Sequence, residues 1–267
     1  MRNTSHPALI LTLAITLFIA CSQPLSSQEP VRILFIGSSY FNYNNLPEIF
    51  LELSEQGGET LIIDQYIPSG LFLADHADNP LTRSKIKSNK WNYVVLQGVG
   101  VVMAYPDSIM QHPFYPAMKS LMKAITKNSP STRTVFCLPW AFEDGMTWKK
   151  GWSDNYDEMQ QKITSNTMDY AAKMGFEVAP VGIAWSRVLS DKNYPLHYLH
   201  FTDWNHPTMN GSYLMACVLY SSMFQKSSVS ISYTAGLDLE EALYFREMAS
   251  KTVLDSLHLW NMPSIPE

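Results

Sequence analysis

Short apolar runs alternating with helix-length segments dominate the sequence from residue 31 onward, and they restrict the architectures open to it. Residues 31–36 (VRILFI) form a β-rich stretch stopped by Gly37, as expected of a strand buried on both faces. Residues 61–63, 93–96, 134–138 and 178–181 repeat the pattern. Between them the spacing predicts helices. The first starts at Asn45-Leu46-Pro47-Glu48, with Asn45 as N-cap and Glu48 closing a capping box, and ends at Gly57-Gly58. Others are expected over residues 115–126, 155–174 and 208–224, with a last amphipathic one over 239–257. Parallel strands joined by helices require right-handed crossovers and helices on both faces. The expected fold is therefore α/β, a three-layer α/β/α sandwich around a central parallel sheet of about five strands.

Composition narrows the function classes. The 267 residues are 46% hydrophobic and only 16% charged, which suits one packed domain rather than a disordered chain. A net charge of −5 with no dense Lys/Arg block leaves no footprint for a phosphate backbone, so nucleic acid is not expected as a partner. Arg2 precedes an apolar run over residues 9–20, shorter than the roughly 20 residues that span hydrocarbon. Residues 1–20 read as a signal peptide. Leu17-Phe18-Ile19-Ala20-Cys21 resembles a bacterial lipobox, which implies lipidation of Cys21, a linker over residues 21–30 and a single domain over 31–267. The expected location is the bacterial cell envelope, with the membrane engaged through the lipid alone; ordinary secretion is the alternative. Cys137 and Cys217 lie in apolar runs and read as core thiols, with a disulfide between them left open.

In a parallel α/β sheet, chemistry collects after the strands. The segments there are Gly37-Ser38-Ser39-Tyr40-Phe41, Pro68-Ser69-Gly70, Gln97-Gly98-Val99-Gly100 and, before a helix, Thr202-Asp203-Trp204-Asn205-His206-Pro207. Together they hold a hydroxyl nucleophile, an imidazole, a carboxylate and turn N–H groups, the parts of covalent acyl transfer. Asp203 and His206, three apart at a helix start, can meet through one ring nitrogen and leave the other for a serine. This order of blocks resembles the SGNH (GDSL-like) hydrolase superfamily, of flavodoxin-like architecture, over residues 33 to about 220. The resemblance implies Ser39 as nucleophile, with Ser38 the adjacent alternative, His206 as base and Asp203 as its partner. It places the oxyanion hole at the N–H groups of Ser39 and Gly70. The third block departs from the usual Gly-x-Asn-Asp, reading Leu96-Gln97-Gly98-Val99-Gly100, and Gln97 is the substitute donor. The Leu-Gln pair, with Gly-Ser-Ser-Tyr-Phe and Asn-Asn-Leu-Pro, resembles a poorly characterised bacterial branch.

The expectation is a serine ester hydrolase working through an acyl-enzyme, without cofactor or metal, on a small acyl group carried by a carbohydrate; a lipid or thioester is the alternative substrate. Two other readings compete. His197, His200, Asp203 and His206 could ligate a hydrolytic zinc. The aromatic stretch from Trp140 to Trp152 (WAFEDGMTWKKGW) could instead make a non-catalytic platform for sugars.

Overall fold

The structure, a computed structural model, describes residues 29–110, 113–192 and 198–263. The signal peptide, Cys21 and His197 lie outside the described residues. Five strands, β1 Val31–Ile36, β2 Leu61–Tyr66, β3 Tyr93–Gln97, β4 Arg133–Cys137 and β5 Glu177–Ala179, form one parallel sheet in the order β2-β1-β3-β4-β5. Residues of β3, in the centre, are buried throughout, whereas Ile62 on the edge strand β2 is exposed.

The helices are α1 Ser39–Asn42, α2 Leu46–Gln56, α3 Leu73–Asp78, α4 Pro80–Ser88, α5 Gly100–Met103 and α6 Asp107–Met110. After these come α7 Tyr115–Asn128, α8 Tyr156–Met174, α9 Val181–Ser190, α10 Met209–Phe224 and α11 Leu239–Leu254. Right-handed crossovers in this strand order put α2 on one face and α4, α7 and α8 on the other. Helix α10 packs beside α2, is buried on every side from Asn210 to Met223, and is itself covered by α11. Cys137 and Cys217 are buried free thiols, and burial raises both pKa values, that of Cys217 to about 12.

Local differences from the sequence reading have identifiable causes. Asn155 and Thr208 cap α8 and α10 by accepting N–H bonds from Glu158 and Gly211. Asn45, by contrast, takes a left-handed conformation (φ 51°) and its side chain caps nothing, so the capping box with Glu48 does not form. Strand β5 ends at Ala179, and Val181 starts α9 after Pro180, a helix hidden in a short apolar run that suits either state. Helix α11 stops at Leu254, and a 3₁₀ turn, Leu257–Trp260, follows.

Candidate active site

The turn that carries Ser38 and Ser39 is held from beneath. At Gly37 a Cβ would sit 2.8 Å from Gln97 Oε1 and 2.9 Å from the Phe41 ring, so only glycine lets β1 turn here. Buried side chains grip both sides of the Gly37–Ser38 peptide. His76 Nε2 donates to the Gly37 carbonyl at 2.9 Å, and the Ser38 N–H donates to Gln97 Oε1 at 2.8 Å. His76 is fully buried, accepts from Thr82 Oγ1 through Nδ1, and has its pKa lowered by desolvation, so it stays neutral. This peptide aims the two serines differently. The buried Ser38 hydroxyl faces Gln97 Oε1 at 3.4 Å, whereas Ser39 Oγ donates to His206 Nε2 at 2.8 Å.

His206 sits in a turn ahead of α10 rather than on the helix. Asp203 Oδ2 accepts from His206 Nδ1 at 2.6 Å, and its Oδ1 accepts the backbone N–H groups of Asn205 and His206 at 3.1 and 2.9 Å. Trp204 pays for this tight turn with a left-handed backbone, φ 60°. Burial alone would raise the Asp203 carboxyl, but the His206 ring and the two N–H groups outweigh it and hold the pKa below its ordinary value. Trp140 Nε1 donates to the Asn205 carbonyl at 2.9 Å, Tyr40 OH donates to Asn205 Oδ1, and Asn44 Nδ2 donates to the Pro207 carbonyl. The Tyr43 ring stacks on the imidazole at 4.6 Å, and Tyr40, Trp140 and Trp185 form a continuous stack behind it. The sequence reading missed Tyr40, Asn44, His76 and Asn205. A run of amides, Asn42, Asn44 and Asn45, was the available signal for Asn44.

The third block gives Gln97 a bracing role that the sequence did not show. Gln97 Oε1 accepts from the Ser38 N–H and Nε2 donates to the Gly98 carbonyl at 2.7 Å, so the amide orientation is dictated by its partners. Gln97 therefore braces two turns, with one N–H of its amide committed to the Gly98 carbonyl. Gly70 takes φ 84°, a conformation natural to glycine, and Asn42 Nδ2 joins α1 to its neighbour Ser69 at 3.1 Å. The Ser39 N–H lies in the first turn of α1, where no carbonyl of the helix can accept it. An apolar cavity of about 280 Å³ opens between the β2–α3 and β3–α5 connections, lined by Phe72, Val99, Val102, Met103 and Phe114.

The competing readings fare differently. His200 Nε2 donates to the Ala141 carbonyl at 2.9 Å and its ring lies edge-on to Trp185, so it does not join His206 and Asp203 in a ligand set. Among the described residues no three His, Cys, Asp or Glu side chains cluster as metal ligands. Within the aromatic stretch, Trp140 is buried, Trp152 lies under Lys149, and Trp148 is 60% exposed.

His200 also sets an acid limit on stability. Desolvation lowers its pKa to about 4, against the raising influence of the Ala141 carbonyl, Asp203 and Asp144. Unfolded histidine titrates near 6.5, so below that pH the unfolded chain binds more protons than the folded one. This contribution is intact above about pH 6.5 and is lost as the pH falls toward 4, by up to about 1.4 kcal/mol per unit. Calorimetry should show Tm falling between pH 7 and 5, with a shallower slope in His200→Gln. An unchanged slope would assign the effect elsewhere.

Comparison with known proteins bears on this geometry. No protein-family model matches the sequence, and no curated protein does. Solved structures do match. A DUF4886 family protein from Bacteroides uniformis is 18% identical, with a TM-score of 0.71 over 85% of this chain and 95% of its own. A protein from Slackia heliotrinireducens assigned to the SGNH hydrolases is 23% identical, with a TM-score of 0.60 over 73% of this chain and 100% of its own. One from Parabacteroides merdae assigned as a GDSL-like lipase is 15% identical, with a TM-score of 0.51 over 74% of this chain and 96% of its own. The strand order, the crossovers and these likenesses agree: the chain has the fold of the SGNH (GDSL-like) hydrolases.

Proposed function

We propose that this protein is a serine ester hydrolase acting through Ser39, His206 and Asp203. The observation that carries the reading is the unbroken relay from Ser39 Oγ to His206 Nε2 at 2.8 Å and from His206 Nδ1 to Asp203 Oδ2 at 2.6 Å, at the carboxyl end of the sheet. Asp203, ionised, fixes the tautomer in which Nδ1 carries the proton and Nε2 accepts. Ser39 Oγ then attacks the ester carbonyl carbon while Nε2 takes its proton. The oxyanion is met by the N–H groups of Ser39 and Gly70. Collapse breaks the ester C–O bond, and the alcohol leaves with the proton from Nε2. Water, deprotonated by His206, attacks the acyl-enzyme, releases the carboxylic acid and returns the proton to Ser39.

The substrate we infer is a small acyl ester of a carbohydrate. Exposed rings surround the site: Tyr43 on the imidazole, Phe201 beside Tyr43, and Trp204, 59% exposed, within the turn itself. Such faces stack on sugar rings while the acyl group reaches Ser39. We infer a location in the bacterial cell envelope, with a lipid on Cys21 as anchor, from the lipobox-like residues Leu17 to Cys21. A serine-directed fluorophosphonate should label the peptide containing Ser39, and acetylated oligosaccharides should lose acetate. Binding of those oligosaccharides without labelling or acetate release would make the protein a carbohydrate-binding module and overturn the hydrolase reading.

A further inference from the structure

Residues 80–128 carry seven Lys and Arg against one acidic residue, Asp107, in a chain of net charge −5. The sequence scatters these cations; the fold gathers them. Helices α4 and α7 pack side by side on one face of the sheet, and neither contains Asp or Glu. Lys119, Lys123 and Lys127 recur every four residues along α7, and Lys123 and Lys127 line a groove with Arg83 and Lys87 of α4. The groove, of about 440 Å³, is floored by Ile86 and Ala124. Lys85 pairs with Asp64 at 2.6 Å, and Arg83 is engaged by the Ala77 carbonyl and Ser120. Lys87, Lys123 and Lys127 are exposed, and among the described residues no carboxylate pairs with them.

Like charges spaced four apart cost a helix a few tenths of a kcal/mol per pair, so this stripe does not serve α7 itself. Its position suggests what it serves. The carboxyl ends of α4 and α7 meet through Asn128, whose Nδ2 donates to the Ile86 and Asn89 carbonyls. Asn92, just beyond, exchanges hydrogen bonds with Arg32 at the start of β1. Lys87, Lys90 and Lys127 thus stand where the chain passes into the sheet from the N-terminal sequence, which contains the apolar run over residues 9–20. The Ser39 site is at the opposite end of the strands.

We propose that the α4–α7 face rests on anionic phospholipid, its groove taking headgroup phosphates, with the Ser39 site turned away from the bilayer. Among the described residues no helix is long and apolar enough to cross a membrane. Each lysine near an anionic surface contributes about 1 kcal/mol, so three give a preference of about a hundredfold over a neutral surface at low salt.

Flotation of the full chain with vesicles reads this directly, and independently of any esterase activity. The N-terminal segment contributes equally to every variant. Binding should be about a hundredfold tighter to phosphatidylcholine vesicles containing about a third phosphatidylglycerol than to phosphatidylcholine alone, and the preference should fade with salt. The triple variant Lys87→Glu, Lys123→Glu, Lys127→Glu should lose that preference, whereas Lys150→Glu, Lys173→Glu, Lys251→Glu, with the same change in net charge, should keep it. Should the first variant have a lowered Tm, the corresponding three Lys→Gln changes replace it and should lose most of the preference. Equal binding to both vesicles by the unmodified chain, or equal loss in both triple variants, overturns the proposal. So does capture of duplex DNA or polygalacturonate with no gain on anionic vesicles.

Discussion

Ser39→Ala should lower kcat for a soluble aryl acetate by at least about 10⁴-fold, while Ser38→Ala stays within about tenfold of the unmodified enzyme. The adjacent serines share a residue type and a turn but not an environment: Ser39 Oγ meets His206 Nε2 at 2.8 Å, whereas Ser38 is buried against Gln97. His206→Ala should cost as much as Ser39→Ala, and the double variant no more, because the two act as a unit. Asp203→Asn should fall between, at about 10³-fold, since the amide still contacts the ring but favours the wrong tautomer. Single-turnover kinetics with each variant check the ranking. Full activity in Ser39→Ala with loss in Ser38→Ala would move the nucleophile, and the mechanism would then need the Gly37–Ser38 peptide to turn over.

Much of this architecture is legible in the sequence because strands and long helices declare themselves through periods of 2 and 3.6 residues. Residues 31–36 and 155–174 match their elements to within a residue. The candidate site drew on a different signal: Ser39 follows β1 and Asp203 and His206 lie in the turn before α10, so order along the chain already suggested one end of the sheet. What escapes is whatever depends on contacts between distant buried groups. Nothing local to His76 reveals that its ring will end beneath Gly37, thirty-nine positions earlier. The facing cations of α4 and α7 are likewise invisible until crossovers lay the two helices together. Asn45 fails for a subtler reason, since it can cap a helix or take a left-handed turn and the tertiary path of α1 into α2 chose the latter.

Gln97 is where residue type and residue role part, and its replacement separates the two. Had it supplied an oxyanion donor, Gln97→Ala would cut kcat by about a hundredfold to a thousandfold and leave Tm unchanged. The observed geometry leads elsewhere. Truncation strips the acceptor from the buried Ser38 N–H and the donor from the Gly98 carbonyl, each worth about 1–3 kcal/mol when left unpaired. At about 2–4 °C per kcal/mol for a chain of this size, Tm should drop by on the order of 10 °C. The effect on kcat should be smaller than for loss of a donor, within about tenfold, because His76 still holds the carbonyl side of the Gly37–Ser38 peptide. Gln97→Met fills the space without either hydrogen bond and should resemble Ala in Tm, which removes a cavity as the cause. A hundredfold loss of kcat at unchanged Tm would return Gln97 to the oxyanion hole; a stability loss with near-normal turnover leaves that hole to the backbone of Ser39 and Gly70.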